Sequence, residues 1–169
     1  MSPHLPNELW ILVFSHCSPK DLWLSLRPIN TQLRTCTEEY YARHYLPLTQ
    51  LTLPITLPTY DMRNPIRGKA VFHPGLLGNS EESGRALYDL VGTDPSHYRE
   101  HFLGRWKGMG EGEGRWLRET VVWEMGIAEG GVREVRLRRP RVEGIGVQGD
   151  LEVARVSFEW RGTVSSFFR

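Results

Sequence analysis

Residues able to act as ligands, bases or nucleophiles are few and scattered in this chain. His97 and His101 stand four apart. On a helix that spacing puts two imidazoles on one face, but no Glu sits beside the first His as in the metalloprotease pattern. Exposed histidines flanking Tyr98 and Phe102 fit better. Cys17, Cys36, His16 and His44 lack the close pairs, such as C-x2-C, of structural zinc sites. Both cysteines fall on apolar helical positions, which suits buried thiols. No nucleophile motif such as G-x-S-x-G occurs, so no Ser-His-Asp or Cys-His arrangement is indicated. The expectation is a protein that takes no metal or cofactor.

Two further clusters bear on binding. Gly108, Gly110, Gly112 and Gly114 alternate with Met109, Glu111 and Glu113. A phosphate-cradling loop needs a strand before, a helix after and no carboxylate against the anion, so a mobile hairpin loop is the reading here. Arg133, Arg136, Arg138, Arg139 and Arg141 crowd one strand and its exit. With Arg105, Arg115, Arg118 and the tryptophans at 106, 116, 123 and 160, they form a candidate anion- or phosphate-recognising face. The blander alternative, which is favoured, is a solvated strand face opposed across the sheet by Glu119, Glu124, Glu134, Glu143 and Glu152. Arg133, Arg136 and Arg138 are kept as the possible substrate face.

The elements that position these residues follow from pattern. The chain has 169 residues, average apolar content and a formal net charge of +1, the profile of an ordinary folded domain rather than a disordered or dedicated nucleic-acid-binding chain. Two cysteines without a secretory leader point to a reducing compartment, and no apolar run reaches the roughly 20 residues of a membrane span. A soluble cytoplasmic or nuclear protein is expected, with no nucleic-acid or membrane partner.

Leu5 to Phe14 opens with Pro6 at a helix start, places Asn7 and Glu8 in the first turn, and continues with six apolar residues. Such a run covers the whole helix circumference, so one face should be buried and another reserved for a partner. Ser18, Pro19 and Asp21 predict a second helix, with Ser18 as N-cap and Asp21 as a capping-box residue. Pro28 ends it at Arg27. Ile29, Leu33, Cys36 and Tyr40 then form one stripe of a third helix.

Leu5-Pro6-x-Glu8-Leu9, Val13-Phe14-Ser15, Pro19-Lys20-Asp21-Leu22, Leu26-Arg27-x-Ile29-Asn30 and Leu33-Arg34 together resemble the F-box, most closely that of F-box proteins of filamentous fungi. The resemblance covers the first quarter of the chain and rests on the order of the blocks. One extra residue lies between Leu22 and Leu26, Pro28 replaces an aliphatic residue and Cys17 replaces a Leu. The resemblance implies an adaptor that docks on the Skp-type linker subunit of an SCF (Skp–cullin–F-box) ubiquitin ligase and, through it, reaches a cullin. By motif position Leu5, Pro6, Leu9, Leu12, Val13, Leu22 and Leu26 are the docking residues, and the remainder would hold a protein substrate.

After residue 46 the texture changes. Leu51, Leu53, Ile55 and Leu57 alternate with polar residues and prolines, which predicts an edge strand or extended lead-in over 47–65. Strands are predicted at 66–73 and 85–91. A helix carrying Tyr98 and Phe102 should start after Asp94-Pro95 and end near Gly104. The last third reads as a meander with turns at Gly130-Gly131 and Gly149-Asp150, and Ala154, Val156, Phe158 and Trp160 line its longest strand. The fold class is α+β: a three-helix F-box (1–46), the linker (47–65) and a small, mostly antiparallel β domain with one short helix (66–169). Two alternative functions remain open, a small-molecule or phosphate-binding β module and an F-box interaction protein acting outside a ligase.

Overall fold

The computed structural model describes residues 5–57, 66–75, 84–109, 121–127, 131–148 and 150–169. The glycine-rich run after residue 109, Trp116 and the arginines at 115 and 118 lie outside them. The architecture is a mixture of helices and antiparallel sheet, α+β. Helix α1 (Asn7–Phe14) starts one residue later than its proline suggests, because Pro6 is the N-cap. In α2 (Pro19–Asp21) Ser18 caps as expected: its hydroxyl accepts the Asp21 N–H at 3.1 Å and donates to the Asp21 carboxylate at 2.7 Å. A π-helical turn, Leu22–Leu26, follows directly. Arg27 N–H bonds back to the Leu22 carbonyl, a turn one residue longer than an α-turn.

Helix α3 (Thr31–His44) is capped by Asn30, whose side chain accepts the Leu33 N–H at 2.8 Å. Leu33, Cys36 and Tyr40 are buried as the stripe requires, but Ile29 lies ahead of the helix and is exposed. Thr37 and Tyr41 complete the inner face instead.

Seven strands form one antiparallel sheet among the described residues: β1 (Thr49–Leu57), β2 (Ile66–Pro74), β3 (Arg85–Asp94), β4 (Trp123–Ile127), β5 (Val132–Val135), β6 (Arg141–Gln148) and β7 (Leu151–Glu159). Their order is β5-β4-β1-β2-β3-β7-β6. Strand β1 is therefore interior, not an edge. Its pairing with β4 stops at Thr52 while pairing with β2 runs on to Leu57, so Pro54 falls where only β2 is a described neighbour. The last third is likewise no meander: hairpin β4–β5 extends one flank of the sheet, and hairpin β6–β7 extends the other.

Only residues 136–140 connect the outermost strands β5 and β6. That link reaches at most about 20 Å. A flat seven-stranded sheet would hold its edges about 29 Å apart. The sheet must therefore coil until its edges approach. Helix α5 (Trp160–Phe167), which the sequence reading had continued as strand, packs against both β5 and β7. Helix α4 (Arg99–Gly108) packs against β6 and β7, and it runs past Gly104, beyond its expected end. Its Phe102 and Trp106 reach Phe72 of β2 at ring distances of 6.2 and 5.7 Å. Asp94 is not its cap: a 3-10 turn, Ser96–Tyr98, intervenes.

One buried cluster joins Phe14, Leu22 and Tyr41 of the helices to Leu51, Phe72, Tyr88 and Phe158 of the sheet. The Tyr88 hydroxyl donates to the Leu46 carbonyl, and the Tyr41 hydroxyl donates to that of Pro19. Burial pushes both phenols far above their ordinary value of 10.0. The folded chain holds them neutral, whereas the unfolded chain would ionise them near that value. Stability should therefore be intact below pH 10 and fall as pH rises above it. In an alkaline titration Tyr41 and Tyr88 should give tyrosinate absorbance only on unfolding, and Tyr41→Phe with Tyr88→Phe should flatten the loss of stability.

Candidate functional site

Helix α1 meets the rest of the molecule along a narrow line. Phe14 is fully buried and Trp10 half-buried, with Phe14 packed edge-on to Tyr40 of α3 at 5.6 Å. The Gln32 side-chain amide donates to the Leu5 carbonyl and to the Asn7 side chain, fixing the helix entry on α3. The other side of α1 is apolar and open. Leu9, Leu12 and Val13 fall at i, i+3 and i+4, one helical stripe, and Leu5 lies just ahead of the N-cap; all four are exposed, Leu12 by 62%. Ile11 beside them, Leu24 on the π-turn and Ile29 ahead of α3 add exposed apolar surface to the same helical unit.

The motif-derived docking residues thus divide. Leu5, Pro6, Leu9, Leu12 and Val13 are at the surface. Leu26 is half-buried against the core. Leu22 is fully enclosed, which removes it from any surface, because its place at the start of the π-turn faces inward. Scattered exposed leucines are ordinary on any protein, whereas a stripe of this kind on one helix is not.

The inner faces of these helices are committed elsewhere. Trp23 donates its indole N–H to the Ser165 hydroxyl of α5 at 3.0 Å and packs on Trp160 at 5.6 Å. Glu38 of α3 receives Arg27 and, from α5, Arg161, at 2.7 and 2.6 Å. None of these contacts uses the α1 stripe.

The arginine face is less uniform than its sequence. The Arg133 guanidinium donates to the Phe167 carbonyl at 3.2 Å and lies over the Phe167 ring. Backbone groups of Arg138 bond to Thr163 and Glu159 at the start of α5, while its side chain runs beside Gly162, where an added Cβ would meet it. Arg136 is exposed. The expected opposition by glutamates does not follow from the register: Glu134 faces Glu124, Arg133 faces Met125, and Arg141 faces Ser157. Lys69 of β2, 3.1 Å from Glu124, relieves the like-charge pair. Arg85 gathers with Arg139 and Arg141 near Glu143 and Glu159; its pKa is lowered, first by burial and next by Arg141.

The described tryptophans do not form one ring. Trp106 and Trp123 surround Phe72, whereas Trp160 belongs to the joint with Trp23. His97 sits in the 3-10 turn and His101 in α4, so they share no single helix. Cys36 is buried and Cys17 half-buried, both as free thiols; burial raises the Cys36 thiol. No group of three or more His, Cys, Asp or Glu side chains suited to a metal ion occurs among the described residues. None of the described helices is long and apolar enough to cross a membrane. Comparison with protein-family models, with curated proteins and with solved structures gives no match.

If the α1 stripe contributes nothing to the core, changing Leu9 and Leu12 together to Ser should alter unfolding free energy by no more than about 0.5 kcal/mol each. Phe14→Ala should cost about 3–5 kcal/mol. Sedimentation should show the unmodified chain self-associating and the double Ser variant doing so less, while urea unfolding reports the two stabilities.

Proposed function

We propose that the chain is an F-box substrate-recognition adaptor of an SCF ubiquitin ligase, docking through its N-terminal helices on the Skp-type linker subunit. The observation that carries this reading is the uncovered stripe Leu9, Leu12 and Val13 on α1, with Leu5 exposed just ahead of it. It coincides with the residues through which the ordered motif blocks resemble an F-box, and the chain's own fold leaves it free. The adaptor performs no chemistry. It holds a protein substrate beside the ubiquitin-charged conjugating enzyme, so that the transfer gains from proximity alone. Such a protein works in the cytoplasm or nucleus. The substrate face on this reading is the arginine edge beside α5, with Arg136 and Arg138 outward and Arg133 held partly by Phe167.

Co-expression with the Skp-type linker subunit tests the docking. A stable complex is expected by co-purification and calorimetry. Leu9→Ala and Leu12→Ala should each weaken it by about 2 kcal/mol, the loss of a buried leucine at an interface. A well-behaved monomer with no heat of binding would overturn the assignment. Replacing Arg136 and Arg138 by Glu should leave linker binding unchanged and abolish substrate capture in a pull-down. Unchanged capture would remove the arginine edge from the reading.

A further inference from the structure

A cleft of about 280 Å³ lies between β1 and α4, on the side of the molecule built from the sheet rather than from the N-terminal helices. Its wall is apolar: Leu53, Pro54 and Ile55 of β1 face Phe102 and Trp106 of α4 and Met109 at its C-cap. The cleft opens where β1 has lost its β4 neighbour, since that pairing ends at Thr52. His101 and Arg105 also line it, four residues apart on the same exposed face of α4. Among the described residues no carboxylate lines the cleft and none pairs with Arg105. In the aromatic wall the indole N–H of Trp106 is buried without an acceptor among the described residues. Among the described residues the polar side chains that line this cleft are Arg105, His101, the Trp106 indole and the Thr56 hydroxyl, with no anionic group.

We propose that this cleft binds an amphipathic monocarboxylic acid, with its hydrocarbon body against Leu53, Ile55, Phe102 and Trp106 and its carboxylate on Arg105, with His101 beside it. The apolar wall would exclude water from the body of the ligand, as small-molecule sites do with few polar groups fixing orientation. A guanidinium at the rim favours a planar carboxylate, which it can receive with two parallel hydrogen bonds. The proposal is independent of the adaptor reading, because no residue of the cleft belongs to α1, α2 or α3.

Decanoate is the probe, titrated calorimetrically into the full chain below its micellar concentration, with decanol as the uncharged control. One-to-one binding is expected, weaker by at least tenfold for decanol. Arg105→Gln, a change on an exposed helix face, should weaken decanoate by at least tenfold without changing circular dichroism or decanol binding. Ile55→Trp, which fills the cleft, should abolish both. Equal binding of decanoate and decanol, or decanoate binding unmoved by Arg105→Gln, would overturn the carboxylate site. Binding lost instead in the Leu9→Ser and Leu12→Ser variant would place the probe on the α1 stripe and overturn it equally, as would no saturable binding at all.

Discussion

Glu38 holds two arginines that come from opposite ends of the sequence, Arg27 after the π-turn and Arg161 in α5. Beside them Trp23 and Trp160 pack together, with the Arg27 guanidinium over one ring at 4.5 Å and that of Arg161 over the other at 4.9 Å. A carboxylate shared by two guanidiniums, each also resting on an indole, is a half-buried network rather than a set of surface ion pairs, so its members depend on one another. It ties α3 to α5 and so determines how the N-terminal helices sit on the sheet. Because it takes up the inner surfaces of α3 and the π-turn, α1 is held by Phe14 and Trp10 and by the Gln32 bonds at its start. The open stripe of α1 is thus a consequence of where the joint was made.

Within the sheet a second buried pair sets the packing of β3 on β7. Asp89 and Arg155 are direct cross-strand neighbours and meet at 2.9 Å with Asp89 almost fully enclosed. Two glycines make the slot for them. An added Cβ at Gly75 would press on the Asp89 carboxylate, and one at Gly146 would overlap the Arg155 guanidinium. Burying such a pair is tolerable only when its geometry is good, and the glycines supply the room for it.

Much of this organisation is legible in the residues. The Ser18 cap, the Leu33, Cys36 and Tyr40 stripe and the alternation in β1 and β2 all follow local rules that tertiary contacts did not override. Strand β6 was missed because its alternation is broken: a bulge between Val142 and Ile145 is made by Gly144 at φ +73°, a backbone state open mainly to glycine. Helix α5 was missed because Trp160 prolongs the pattern of β7. The spacing Trp160, Val164, Phe167 and Phe168, at i, i+4, i+7 and i+8, is its helical signal. The order of strands had no local signature, since nothing in β5 or β6 names the flank it joins. The cleft was hidden for a related reason. An end at Gly104 leaves Trp106 outside the helix, although Phe102 and Trp106 keep its period.

The short link that forces the sheet to coil also bears on how the molecule avoids its own kind. Open sheet edges are templates for pairing with another copy, and natural sheets blunt them by brevity, charge, bulges or cover. Strand β5 is four residues long, carries Arg133 and Glu134, and lies against α5. Strand β6 carries Arg141, Glu143 and the Gly144 bulge, and α4 packs on it. Both edges are thereby poor templates for strand addition. Any self-association of this chain is thereby steered away from β-type aggregation and toward the exposed apolar face of α1.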